Sequence, residues 1–256
     1  MPEIPLLELA VFLCGTSVAA FVLGLVGFAF GIVAAGIWLH ALTPAETTSL
    51  IAAYALLVQS HATWKLRRAL NVSRLMPFIV GSAVGIPAGI LALKWAPPSE
   101  IRTAAGWVLV LFSLYNLLTP KLPRITPAGS LLDGVIGTLS GALGGSTGLG
   151  GTLPAIWCGL RGWSKDEQRA VFQPTAVATF LMTAVWLGGT GTITTRIVYF
   201  FALGLPVLAA GTWLGWKLYG KFDEAMFRKA VNILLFLSGT VLVLSSSGGG
   251  LLRDGD

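Results

Sequence analysis

Charge is what this chain has least of: Asp, Glu, Lys and Arg make up 11% of its 256 residues, against about a quarter in an ordinary soluble domain. Apolar residues make up 55%, and the mean hydropathy is +0.80. No aqueous fold hides that much apolar side chain in a chain of this length, which leaves the lipid bilayer as the solvent for most of it. Cysteine is also scarce. Cys14 and Cys158 both lie in apolar stretches, so a disulfide framework is excluded and both thiols are expected to be buried and reduced. There is no P-loop, no zinc ligand set and no Ser/His/Asp constellation, so neither a catalytic centre nor a cofactor or metal is expected. Basic stripes with interleaved aromatics are missing too. The formal charge of +6 therefore does not read as nucleic-acid binding. A secretory leader is not expected either: Met1 to Glu8 carries Glu3 and Glu8, no basic residue and no small-residue cleavage site.

What is present is a series of long apolar runs. A helix needs about 20 mostly apolar residues to span the hydrocarbon core. Runs of this kind occur at Thr47–Trp64, Leu75–Leu93, Thr103–Thr119, Ala170–Thr195, Ile197–Trp216 and Ala230–Ser247. Lipid tolerates only helices or closed barrels, and these runs lack the alternation of a barrel, so an all-α polytopic fold is expected. Trp38, Trp64, Trp95, Trp163, Trp186, Trp213 and Trp216 fall mostly near the run ends, as an interfacial aromatic belt does.

Two segments break the pattern. Leu9–Leu42 and Gly134–Leu160 are uncharged but dense in glycine, which weakens a helix interior by up to about 1 kcal/mol per residue relative to alanine. Each is read as a broken helix or a hairpin. They also repeat: Gly24, Gly27 and Gly31 match Gly141, Gly144 and Gly148 in spacing, and an Ile-Trp pair follows each, Ile37-Trp38 and Ile156-Trp157. Duplication of this kind is common in transporters. The expected layout is a first repeat at 1–119, a linker at 120–129, a second repeat at 130–247 and a tail at 248–256.

Orientation separates the two treatments of the glycine-rich segments. If each crosses once, the basic residues divide 8 against 9 between the two sides of the membrane. If each goes in and returns, Lys94, Arg102, Arg196 and Arg253 share one side and the other holds 13 of the 17. The second split obeys the positive-inside rule. It makes the halves inverted repeats with three further helices each, and it places both termini outside the cytoplasm.

The stretch Gly144-Gly-Ser-Thr-Gly-Leu-Gly-Gly-Thr152 carries the most chemistry. Backbone N–H groups at a helix start favour an anion, and Ser146, Thr147 and Thr152 add hydroxyls. The competing reading is tight helix packing through small residues such as Gly144 and Gly148. Gln59, Ser60 and His61 on one following helix, and Gln173, Pro174 and Thr175 on its counterpart, form a second polar pair. They would serve as cavity lining or as interhelical glue. His61 and His40 read as interfacial.

With these residues in view, the chain resembles the sulfite exporter TauE/SafE family. The match rests on the duplicated Gly24–Gly31 and Gly141–Gly151 segments, on Pro154, and on Arg169-Ala-Val-Phe-Gln-Pro174. Phe28, Ala29 and Phe30 depart from the family's denser glycine pattern, so the second half should supply most polar contacts. The resemblance implies transport of sulfite, thiosulfate, a sulfonate or a related small anion across a cell inner membrane. The expected site comprises Gly27, Gly31, Gln59, Ser60, Gly144, Gly145, Ser146, Thr147, Gly148, Gly151, Thr152, Gln173 and Thr175. Expected partners are a small anionic substrate and the lipid bilayer, with a homodimer as an option and no nucleic acid. A non-transporting membrane scaffold is the alternative.

Overall fold

The computed structural model describes residues 4–26, 29–65, 71–118, 129–218 and 224–251, and among them it holds ten helices and no strand. In chain order they are α1 (Leu6–Val26), α2 (Phe30–Trp38), α3 (Pro44–Lys65), α4 (Val72–Trp95), α5 (Pro98–Leu118), α6 (Ser130–Thr147), α7 (Thr152–Leu160), α8 (Lys165–Gly189), α9 (Thr195–Leu218) and α10 (Glu224–Leu251). Each of the six expected apolar runs falls mostly on a helix, though Ala170–Thr195 runs past the end of α8 and Thr119 lies outside the described residues. Among the described residues, five helices are long and apolar enough to cross a membrane: Leu6–Leu25, Val72–Trp95, Pro98–Leu118, Glu167–Gly189 and Thr195–Leu218. Large apolar side chains such as Val84, Leu111, Val185 and Leu244 point outward and are exposed, which fits a protein whose surroundings are lipid. This is a multi-pass membrane protein. α3 falls outside those five, and Gln59, Ser60 and His61 interrupt its apolar run. Its first half is buried protein, with Leu50, Ile51 and Tyr54 at 0% exposure.

Several helix starts are written in side chains. Thr43 caps α3: Glu46 N donates to Thr43 Oγ1 at 3.2 Å, and Thr43 N donates to Glu46 Oε2 at 2.9 Å. Ser164 and Glu167 make the same reciprocal box at α8. Such a box satisfies two donors that a helix start leaves without partners. Asn71 Oδ1 accepts from Arg74 N at 3.2 Å at the start of α4.

The helices form two compact units, and each draws on both halves of the sequence. The first comprises Met1–Thr47, Ala96–Thr119 and Thr194–Asp256. Within it α9 packs on α1 and α10 packs on α5. A methyl group at Gly24 would lie 2.3 Å from the Thr212 carbonyl oxygen, and one at Gly215 would lie 2.4 Å from that of Phe21, so the α1 and α9 backbones touch. α2 returns beside the first half of α1, where Trp38 Nε1 donates to Phe12 O at 3.1 Å. At the start of α9, Arg196 pairs with Glu8 and, at 3.0 Å, with Glu46.

The second unit comprises Thr48–Trp95 and Pro120–Ile193. Its spine is α4 on α6. Gly81, Gly85 and Gly89 face α6, and Gly137, Gly141 and Gly145 face α4, each series at a spacing of four. A methyl at Gly85 would sit 1.9 Å from the Thr138 carbonyl oxygen. That spacing keeps every glycine of a series on one helix face. Ser82, at 0% exposure, donates to the Gly137 carbonyl at 3.1 Å across the seam. α8 packs against α4 and α7.

Two expectations need correcting here. Cys14 is exposed, not buried; only Cys158 is buried. Apolar sequence around a cysteine marks a lipid-facing helix side as readily as a core, and α1 turns Cys14 outward. Trp38 is not a belt residue: it is 0% exposed and stacks against Phe12 at 5.2 Å. Trp64, Trp95, Trp186, Trp213 and Trp216 are exposed, as a belt requires.

Candidate site at the start of α7

The second unit contains most of the expected site residues, and their arrangement begins with how α6 ends. Gly148 closes that helix with φ 75, a left-handed conformation that glycine adopts without strain. The chain then runs back along α6. Ser140 Oγ donates to the Gly150 carbonyl, and a methyl at Gly150 would lie 3.0 Å from Gly144 Cα and 2.9 Å from Thr179 Cγ2. α7 therefore begins beside the middle of α6 rather than beyond its end. Its nine residues measure about 13 Å, less than half of a bilayer core of about 30 Å.

Two contacts hold α7 back against α6. Trp157 Nε1 donates to Asp133 Oδ1 at 2.7 Å, and Arg161 Nη1 lies 3.8 Å from the same oxygen. Asp133 is 6% exposed. The duplicated Ile-Trp pairs thus act alike, since Trp38 and Trp157 each tie a short helix to the longer one before it. Asp133→Ala would leave the indole N–H buried without an acceptor, which costs about 1–3 kcal/mol. Asp133→Asn keeps an acceptor oxygen. We expect the alanine variant to melt several degrees below the asparagine variant, with Trp157 fluorescence shifted to the red in the alanine variant alone.

The glycines of the stretch divide by what they face. A methyl at Gly145 would lie 2.8 Å from the Ile86 carbonyl oxygen, and one at Gly144 2.9 Å from Thr179 Cγ2, so both are packing positions. Gly148 is a turn position packed on Ile51. Gly151 differs: a methyl there would meet only Ala176 Cβ, at an ordinary 3.5 Å. The α7 start has no side-chain cap. Thr152 N donates to Leu149 O and Ala155 N to Gly151 O, Pro154 has no N–H, and the N–H groups of Gly150, Gly151 and Leu153 have no acceptor among the described residues.

The hydroxyls divide in the same way. Ser146 Oγ donates to Ala142 O, Thr147 Oγ1 to Leu143 O and Thr175 Oγ1 to Val171 O, each at 2.8 Å. Their protons are spent on their own helices. The Thr152 hydroxyl bonds no described residue, and Gln173, 6% exposed on α8 one turn before Ala176, has its carbonyl oxygen Oε1 buried without a partner. Gln59 and Ser60 lie elsewhere. The α3 residues at this loop are Thr48, whose hydroxyl donates to Ser146 O at 3.1 Å, and Ile51. Gln59 is eight residues beyond Ile51, about 12 Å further along the helix. Gly31 is the second residue of α2, in the first unit, and Gly27 lies outside the described residues. Sequence reasoning passed over Thr48, Ser82, Ser140 and Thr179. Their signal was positional: small hydroxyls facing glycines across a helix pair. No group of three or more His, Cys, Asp or Glu residues suited to a metal occurs among the described residues.

A family model described as Sulfite exporter TauE/SafE matches residues 11–242. No curated protein and no solved structure gives a significant match.

Proposed function

Because the chain belongs to the Sulfite exporter TauE/SafE family, we propose that it is a secondary transporter that moves a small sulfur-containing anion, such as sulfite, thiosulfate or a sulfonate, across the cell inner membrane. The start of α7 carries this reading: N–H groups without acceptors, an unengaged Thr152 hydroxyl, an open face at Gly151 and the amide of Gln173 lie along one short stretch of the fold. A dehydrated anion needs several donors at once, and a helix start offers them without a buried cation. Discontinuous helices serve transporters in this manner. The remaining glycines and hydroxyls of the stretch hold the loop in place, and Gly31 at the start of α2 is the counterpart in the first half.

We read 1–119 and 130–247 as inverted repeats joined by 120–129. Matching local devices support this: the caps Thr43 and Ser164, the pinned Trp38 and Trp157, and the pairing of α4 with α6 and of α9 with α1, which is one relation with the halves exchanged. A homodimer forms no part of the reading. The 13-to-4 division of basic residues supports both termini lying outside the cytoplasm. A C-terminal phosphatase fusion should therefore be active and a C-terminal fluorescent fusion dark; the reverse pattern would refute the inverted arrangement.

Efflux of labelled sulfite and a panel of sulfonates from loaded, inside-negative proteoliposomes tests the function itself. The expected result is saturable flux without ATP. An inside-negative potential favours the export of an anion by about 2.3 kcal/mol per charge per 100 mV, so flux should fall when the potential is collapsed. Correctly inserted protein that moves no member of the panel would speak for the scaffold alternative.

A further inference from the structure

A groove of about 710 Å³ lies in the first unit, walled by Phe21 and Val22 of α1, Pro206, Ala210 and Leu214 of α9, and Leu234 of α10. Its size falls within the range of small-molecule sites. Ser17 is the one polar side chain in the lining, and its hydroxyl donates to Leu13 O at 2.8 Å, so it offers no proton. Gly211 forms the floor: a methyl there would lie 2.8 Å from Ala20 Cβ. The rim is open, with Leu214 44% and Leu234 62% exposed.

One end of the groove is chemically marked. Lys217 lies one turn past Leu214, and Lys229 immediately precedes Ala230 of the lining; both are exposed. Lys217 Nζ stands 4.9 Å from the centroid of the Trp213 ring, and Trp213 and Trp216 are exposed beside it. Tryptophan and lysine at one level are the signature of a membrane interface. From the last turn of α9 to the first turns of α10 the sequence carries Lys217, Lys221, Arg228 and Lys229 against Asp223 and Glu224.

We propose that this groove binds an anionic phospholipid, with one acyl chain along α1, α9 and α10 and the phosphate at Lys217 and Lys229. Magnitudes assign the selectivity. An acyl chain gains little by leaving the bilayer for an apolar groove, because lipid tails are as apolar as leucine. Basic residues near a membrane surface attract anionic lipid, and basic pockets between helices bind acidic headgroups. Headgroup charge, not chain length, therefore decides what stays bound. A second copy of the chain is the weaker occupant, since a two-fold contact here would bring the same lysines against one another.

Native mass spectrometry of the full chain, with phosphatidylglycerol or phosphatidylcholine added, tests the proposal. Wild-type protein should retain phosphatidylglycerol at least tenfold more tightly. Lys217→Ala and Lys229→Ala should each weaken it about fivefold, and the double variant should no longer tell the two lipids apart. Ala210→Phe should lose both lipids by filling the groove, with Leu214→Trp as a second filler if the first misfolds. Equal retention of the two lipids by wild type, or wild-type lipid binding by a folded groove-filling variant, overturns the proposal. So does a filler that dissociates a dimer and leaves lipid binding intact.

Discussion

Gln173→Leu is expected to raise the melting temperature by a few degrees and to weaken substrate binding ten- to a hundredfold. The two effects come from the two ends of one amide, its oxygen for stability and its NH2 for binding. Gln173 is 6% exposed with an unpartnered carbonyl oxygen, and a buried polar group left unsatisfied costs about 1–3 kcal/mol. Leucine fills similar volume without that cost. In the proposed site the side-chain NH2 it removes would donate to the anion, and a hydrogen bond to a charged group contributes about 1.5–3 kcal/mol, which is the stated range in affinity. Gly151→Leu is the companion: at φ −80 the position accepts a side chain, so the protein should fold while flux is lost. A Gln173→Leu protein that melts lower and transports normally would identify the amide as interhelical glue and remove it from the site.

Gly85→Leu should abolish folded protein, whereas Gly134→Ala, at the edge of the same seam, should be neutral. The added carbon at Gly85 would lie 1.9 Å from a backbone carbonyl oxygen, and at Gly134 the nearest atom is 3.8 Å away. Overpacking against side chains costs about 1–3 kcal/mol because side chains move aside. Backbone cannot, so α4 and α6 must separate. Expression and size-exclusion profiles of the two variants would decide it. A monodisperse Gly85→Leu protein melting like wild type would mean that the seam does not hold the second unit together.

Much of the fold could be read because bilayer physics leaves few choices: an uncharged run of twenty residues has to be a helix. The ends of the runs were misplaced where charge was taken as a boundary. Arg102 lies inside α5 and donates to the Leu42 carbonyl at 3.3 Å, and α8 begins at Lys165 because Ser164 and Glu167 cap it. That box was legible as Ser-x-x-Glu, as was Thr43-x-x-Glu46. The glycine stretch was legible as a special place but not as a mixture. Gly145 and Gly151 look alike in sequence, and only their neighbours, a carbonyl at 2.8 Å and a methyl at 3.5 Å, tell them apart. Gln59 and Gln173 looked equivalent by position in the repeat, but helix rotation and length put Thr48 and Ile51, not Gln59, at the loop.

The pairing of α9 with α1 and of α4 with α6 also sets an order of assembly at the ribosome. α4 waits for its partner from Trp95 to Ser130, and α1 waits from Val26 to Thr195. At about 5–20 residues per second of synthesis, that is seconds for α4 and roughly ten to thirty seconds for α1. During that interval the glycine face of α1 meets lipid alone, so the helix must be inserted on its own hydrophobicity, which its freedom from charge between Leu9 and Val26 provides. A charge introduced on that face would be felt by the insertion machinery long before α9 exists to shelter it.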